Sequence, residues 1–237
     1  MLKSKHPAQR AKHSLSMNNP HSDLYLKQME IGPMRNFIYL VGSKSTREVY
    51  AVDPAWKIET ILAVLKEENL RLKGVLVSHY HFDHTNGLAE LLEMISCPVY
   101  VNKNDLSHMG GSFKTMRGVD HGDKLTVGEV TMKLIHTPGH TPGSQCVFVD
   151  DYLIAGDTLF IDAVGRCDLP GGDAREMYRT LTQKIMKLSD ATIICPGHNY
   201  SDRPMDTIGR QKKTNPYLKC ETQEKFLKTQ SGVFENW

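Results

Sequence analysis

The run Ser78-His79-Tyr80-His81-Phe82-Asp83-His84 places four metal-ligating side chains within six residues, directly behind the apolar stretch Gly74-Val75-Leu76-Val77. An apolar run that closes on Ser78 predicts a short buried strand, with the ligands on the loop at its end. Beyond the loop, Leu88, Leu91, Leu92 and Ile95 recur at i, i+3, i+4 and i+7. That spacing predicts a helix over Gly87 to Ile95 that lays one apolar face on a sheet, with His84 near its first turn. The fold must therefore present this loop between two packed elements. On a chain leaving a strand, His79 and His81 project the same way and suit one ion, while Asp83 and His84 turn toward a second. A single structural zinc does not need all four.

Four ligands do not complete two sites, and the rest of the chain offers three more. His140 lies in Thr137-Pro138-Gly139-His140-Thr141-Pro142-Gly143-Ser144, a Pro/Gly turn between the strand-like runs 130–135 and 145–149. Asp157 closes the apolar run Tyr152-Leu153-Ile154-Ala155-Gly156, and His198 closes Thr192-Ile193-Ile194-Cys195-Pro196-Gly197. Each is expected at a strand end, and ligands delivered from successive strand ends converge on one rim of a sheet.

Taken as a set, these motifs resemble those of the metallo-β-lactamase superfamily, and most closely its glyoxalase II-like hydrolases, from about Met29 to Leu218. The resemblance implies an α/β (α+β) fold, a four-layer αββα sandwich. It implies that His79, His81 and His140 hold a first metal, that Asp83, His84 and His198 hold a second, and that Asp157 bridges them. Asp83 and Asp157 are then the candidate catalytic carboxylates. Seven imidazole and carboxylate ligands with no cysteine suit two divalent ions, Zn²⁺ first and Fe²⁺ or Mn²⁺ as alternatives. Two such ions about 3.5–4 Å apart lower the pKa of a shared water toward about 7, so the expected activity is hydroxide attack on an acyl bond, a thioester by preference. Only 39 residues follow His198, whereas full-length glyoxalase II adds a helical domain there. The resemblance thus carries thioester hydrolysis further than glutathione recognition. The competing class within the superfamily is the persulfide dioxygenase, with one iron on the equivalents of His79, His140 and Asp157. Those enzymes share a Gly-Arg-X-Asp loop like Gly165–Asp168 and a tyrosine two residues past the last histidine.

A chain of 237 residues accommodates one large domain, expected over 23–237. The formal net charge is +2 and no long run of like charges occurs, so composition makes no case for nucleic acid or an anionic membrane, and a small-molecule substrate is expected. Oligomeric state is left open. Residues 1–22 carry Lys3, Lys5, Arg10 and Lys12 without an acid, which reads as a disordered basic tail; organellar import is the alternative. His6, His13 and His21 in it are read as bystanders. Five scattered cysteines, Cys97, Cys146, Cys167, Cys195 and Cys220, make no CxxC pair and suit a reducing, cytosolic compartment. No apolar run reaches membrane-spanning length.

In chain order, strands are expected near 24–29, 36–41 and 49–52, a helix face at Ile58, Ile61, Leu62 and Leu65, and a strand from Cys97 to Val101 followed by a short helix to His108. Asp53, before Pro54, is read as a turn residue that braces the site. His108 and His121 are read as loop histidines and His136 as a hydrogen-bonded strand residue. Arg166 and Asp168 are a loop-ordering pair, with carboxylate binding by Arg166 as the alternative. Asp173 is an N-cap for a helix carrying Met177, Leu181, Ile185 and Leu188. Tyr200, two residues past His198, is a candidate to stand over the substrate.

Overall fold

The computed structural model describes residues 14–16, 22–109 and 114–232. Two mixed sheets pack face to face and each carries helices on its outer side. The first sheet runs in sequence order: β1 (Ser14–Ser16), β2 (Leu24–Ile31), β3 (Asn36–Ser43), β4 (Glu48–Val52), β5 (Arg71–Leu76), β6 (Val99–Asn102) and β7 (Met116–Val119). Its first four strands are antiparallel, and β4 to β7 are parallel. The second sheet has the order β13 (Asp206–Thr207), β12 (Ile193–Pro196), β11 (Tyr152–Gly156), β10 (Gln145–Val149), β9 (Val130–His136) and β8 (Lys124–Val127). Within the expected tail, Ser14–Ser16 pair antiparallel with Lys27–Met29; the rest of that segment lies outside the described residues.

Strand alternation builds the layers. Along β3, Phe37, Tyr39 and Val41 face the second sheet, where they meet Met132, Leu134, Val147 and Ile154. Ile38 and Leu40 face the other way, onto the helices α1 (Ile58–Glu67) and α3 (Leu88–Met94) through Ile58, Ile61, Leu88 and Leu91. On β11, Ile154 points between the sheets, while Leu153 and Ala155 point out to α4 (Ala174–Gln183), α5 (Ile208–Thr214) and α6 (Gln223–Gly232). The order helix, sheet, sheet, helix is the expected αββα sandwich. Every residue of β3 is buried, and burying one Leu or Ile side chain contributes about 1.5–3 kcal/mol.

Local chemistry places the elements. Asp173 caps α4 as expected, its Oδ1 accepting from the amides of Arg175 (2.7 Å) and Glu176 (3.1 Å). The helix ends at Gln183 and does not run on to Leu188, because the backbone opens at Lys184 (φ −119°, ψ −61°) and continues as a 3₁₀ turn over Ile185–Lys187. Ile185 stays fully buried in that turn, so the apolar spacing survives the break. Among the described residues, no helix is long and apolar enough to cross a membrane.

Candidate metal centre

All seven expected ligands meet where the two sheets share a rim. Strand β5 delivers His79 and His81; Asp83 and His84 lie one step on, in the single helical turn α2 (Phe82–Thr85). The second sheet supplies His140 from the β9–β10 turn, Asp157 immediately after β11, and His198 two residues after β12. A short seam joins the halves: Phe37 N donates to Gly197 O (2.8 Å) and Asn199 N to Arg35 O (2.9 Å). Gly197 is required there, since a Cβ on it would stand 2.4 Å from Asp157 Oδ1.

The ligand atoms form two triads. One nitrogen each from His79, His81 and His140 lie within 4.8 Å of one another, and so do donor atoms of Asp83, His84 and His198. Asp157 stands between them: Oδ1 is 3.3 Å from His84 Nε2, and Oδ2 is 3.5 Å from both His140 Nε2 and His198 Nε2. One carboxylate thus faces both sets.

The hydrogen bonds behind the rings fix their tautomers. His79 Nδ1 donates to Ser78 Oγ (2.9 Å), whose hydroxyl donates to Asp53 Oδ2 (2.5 Å). His84 Nδ1 donates to Asp53 Oδ2 (2.9 Å), His140 Nδ1 to the Arg166 carbonyl (2.7 Å) and His198 Nδ1 to the Met34 carbonyl (2.9 Å). Each ring so held turns the lone pair of Nε2 toward the centre, the arrangement a metal-ligating histidine needs.

The residues fit cations. His79 Nε2, His140 Nε2 and Asp157 Oδ1 are buried without a hydrogen-bond partner among the described residues, a costly arrangement unless an ion satisfies them. His84 Nε2 and His198 Nε2 face each other at 3.1 Å, two lone pairs that only a positive charge reconciles. Electrostatics agree. Burial opposes charge on His198 most strongly, yet Asp157 and Asp83 outweigh it and push the imidazole up to about 9. His84 is likewise raised against its burial, by Asp157 and Asp53. Burial alone would raise the Asp83 carboxyl, but the His198 hydrogen bond, the charge of His84 and the Asn36 amide bring it down to about 2. In the other triad burial dominates, holding His81 down to about 4 and His79 well below the histidine range, so both are neutral ligands at pH 7.

A family model of the metallo-beta-lactamase superfamily matches residues 31–198. The chain belongs to the metallo-β-lactamase superfamily. Among similar proteins of the superfamily, the probable polyketide biosynthesis zinc-dependent hydrolase BaeB of Bacillus velezensis is 28% identical over 204 residues, which cover 84% of this chain and 91% of that one. ETHE1 from Myxococcus xanthus superposes with a TM-score of 0.80 at 29% identity, covering 88% of this chain and 90% of that one. TTHA1623, crystallised in a di-iron-bound form, gives 0.72 at 28% identity, with 81% and 99% covered. Membership and the zinc-dependent relative place the chain among metal-dependent hydrolases, and its clustered His and Asp side chains fit divalent metal ions.

The remaining expected residues surround that centre. Asp53 is the brace described above. Arg166 grips Asp168 through two bonds, Nε to Oδ1 (2.7 Å) and Nη2 to Oδ2 (2.6 Å). Tyr200 stacks on the His198 ring at 4.6 Å and 9°, with Phe160 edge-on to it. His136, at the end of β9, donates from Nε2 to Pro142 O (2.8 Å) in the turn that follows. His108 stacks on Tyr80, and neither it nor the exposed His121 joins a ligand cluster among the described residues. Sequence reasoning passed over Asn36. Its Nδ2 donates to Asp83 Oδ2 (2.9 Å) and to Asp83 O (3.0 Å), while its Oδ1 accepts from Trp56 Nε1 (2.7 Å). An asparagine beside a turn carries no signal that separates this role from turn chemistry.

Proposed function

We propose that this chain is a dinuclear hydrolase of acyl bonds, thioesters by preference, with Zn²⁺ as the working metal. The observation that carries the reading is Asp157, whose carboxylate faces both histidine sets, Oδ1 toward His84 and Oδ2 toward both His140 and His198. The zinc-dependent relative and the di-iron relative support a centre of this kind.

Divalent ions held by the two triads would supply Lewis acidity toward a carbonyl and an activated water. The chain's own residues do the rest. Asp83, ionised at neutral pH, would help to hold one ion and to orient the attacking water. Tyr200 is pushed up to about 12, by burial first and then by Asp157 and Asp83, and so keeps its hydroxyl proton as a donor to the substrate. Phe82, between two ligands, is exposed, and its ring meets Trp56 edge-on at 6.1 Å. Together with Gly32, Pro33, Lys57, Glu59 and Asn86 they line an open groove of about 440 Å³ beside the ligand loop, whose aromatic side suits the apolar part of an acyl group.

The test is metal content and thioester hydrolysis of three proteins. Wild type should hold two ions per chain and cleave an aromatic or medium-chain acyl thioester. Asp157→Asn should lose both ions, because its NH₂ cannot ligate; Asp83→Asn should lose one. A metal-replete wild type that cleaves no thioester or other ester would overturn the proposal. The second reading, a mononuclear iron persulfide dioxygenase, draws on the Arg166–Asp168 pair and the stacked Tyr200. One iron per chain with oxygen uptake on glutathione persulfide would establish it instead.

A further inference from the structure

Asp105 is a fully buried carboxylate that belongs to neither triad. It stands in the N-cap position of the 3₁₀ turn Leu106–His108, yet its side chain makes no cap hydrogen bond. It reaches instead to two loops distant in sequence. Oδ2 accepts from the backbone N–H of Tyr80 (3.1 Å) and from the hydroxyl of Thr141 (2.8 Å), and Oδ1 accepts from the backbone N–H of Gly143 (2.6 Å).

The identity of those loops gives the contacts their meaning. Tyr80 lies between His79 and His81, and Thr141 follows His140 in the turn that Gly143 closes. One carboxylate therefore ties together the two loops that supply all three histidines of one triad, whose rings stand 4.6–4.7 Å apart. The approach is built in: a Cβ on Gly143 would stand 2.5 Å from both Cγ and Oδ1 of Asp105. Among the described residues, Asp105 makes no hydrogen bond to Asp83, His84 or His198. Asp53 differs, since it bonds His84 directly and reaches His79 through Ser78.

We infer that Asp105 is a positioning residue that sets the spacing of His79, His81 and His140 and so tunes metal affinity at that half of the centre alone. The inference rests on the metal-centre reading and not on the substrate. Groups that hold ligands in place are worth about 10–100-fold in metal affinity. Asp105→Asn keeps the size but offers an NH₂ where Tyr80 N–H and the Thr141 hydroxyl need an acceptor.

The experiment titrates Zn²⁺ into the full-length, metal-stripped chain against a chromophoric chelator, alongside thermal melts of the metal-free proteins. In the Asp83→Asn background, where the His79–His81–His140 half dominates, Asp105→Asn should weaken binding about 10–100-fold. In the His140→Ala background it should change the remaining affinity by less than about twofold, as sites without shared partners add independently. Gly143→Ala, which displaces the carboxylate without removing it, should reproduce the effect and stands in if Asp105→Asn does not fold. Leu91→Ala, a core change in the same half of the molecule, should lower the melting temperature with both affinities unchanged, which separates positioning from general stability. Equal weakening in both backgrounds, or none in either, overturns the inference. A wild type with a single ion would overturn the dinuclear reading and leave this test standing, since an ion on His79 and His140 must still be weakened by Asp105→Asn.

Discussion

Asp53→Asn tests whether tautomer control governs the Asp83–His84–His198 half of the centre. Asp53 is buried at 4% exposure, with φ at +51°, and accepts from Ser78 N (2.6 Å), Ser78 Oγ (2.5 Å) and His84 Nδ1 (2.9 Å). Asparagine tolerates that left-handed backbone, so the substitution isolates the hydrogen bonds. If the amide oxygen keeps the Ser78 N–H, its NH₂ faces His84 Nδ1. The ring relieves this clash of donors by moving its proton to Nε2, where it faces Asp157 Oδ1 at 3.3 Å and His198 Nε2 at 3.1 Å. A protonated Nε2 cannot ligate. Restoring the ligating tautomer leaves a buried donor opposed, which costs about 1–3 kcal/mol, or about 5–150-fold in affinity at 1.36 kcal/mol per tenfold. The larger loss should fall on the His84 half and a smaller one on His79, through Ser78. Zn²⁺ competition titration reads it directly. Unchanged affinity at the His84 half, with only a lower melting temperature, would refute the tautomer argument.

Tyr200→Phe keeps the ring stacked on His198 and removes only the hydroxyl; it should leave metal content intact and lower kcat/KM for thioesters about tenfold, the worth of one hydrogen bond of about 1.4 kcal/mol. Equal rates for the two proteins would remove Tyr200 from the substrate's contacts. In the metal-free chain, His198 is raised to about 9 against about 6.5 when unfolded. Its contribution is therefore fully present below pH 6.5 and lost as pH rises to 9. The melting temperature of the metal-free protein should fall across that window, while the metal-loaded protein, with neutral ligating histidines, should not follow it; calorimetry at several pH values decides.

The clustering of the seven His and Asp side chains was legible because their chemistry resides in side chains at strand ends, where Gly and Pro mark the turns. Asp173 was legible for the same reason, as a capping residue before an apolar helical face. The sheet order was not. Every residue of β3 is buried, because helices cover one face and the second sheet the other, so alternation cannot show which side is which; the superfamily resemblance supplied the four layers. Strands β7 and β8 escaped notice because Met116–Val119 and Lys124–Val127 carry exposed polar residues at sheet edges. The carbonyls of Arg166 and Met34 that orient His140 and His198 are backbone atoms, invisible in side-chain identity. Asp105 looked like any acid before a short turn, and only its reach across the structure distinguishes it.

The ligand loop on β5 is complete by His84, but its partners arrive only with His140, Asp157 and finally His198, after β12 has inserted in parallel beside β11. During synthesis at about 5–20 residues per second, the histidine-rich loop leaves the ribosome on the order of ten seconds before His198. Throughout that interval it is an exposed, half-built chelator. Neither histidine triad can therefore be complete until the second sheet has been made, so the assembly of the centre is tied to the closing of the sandwich.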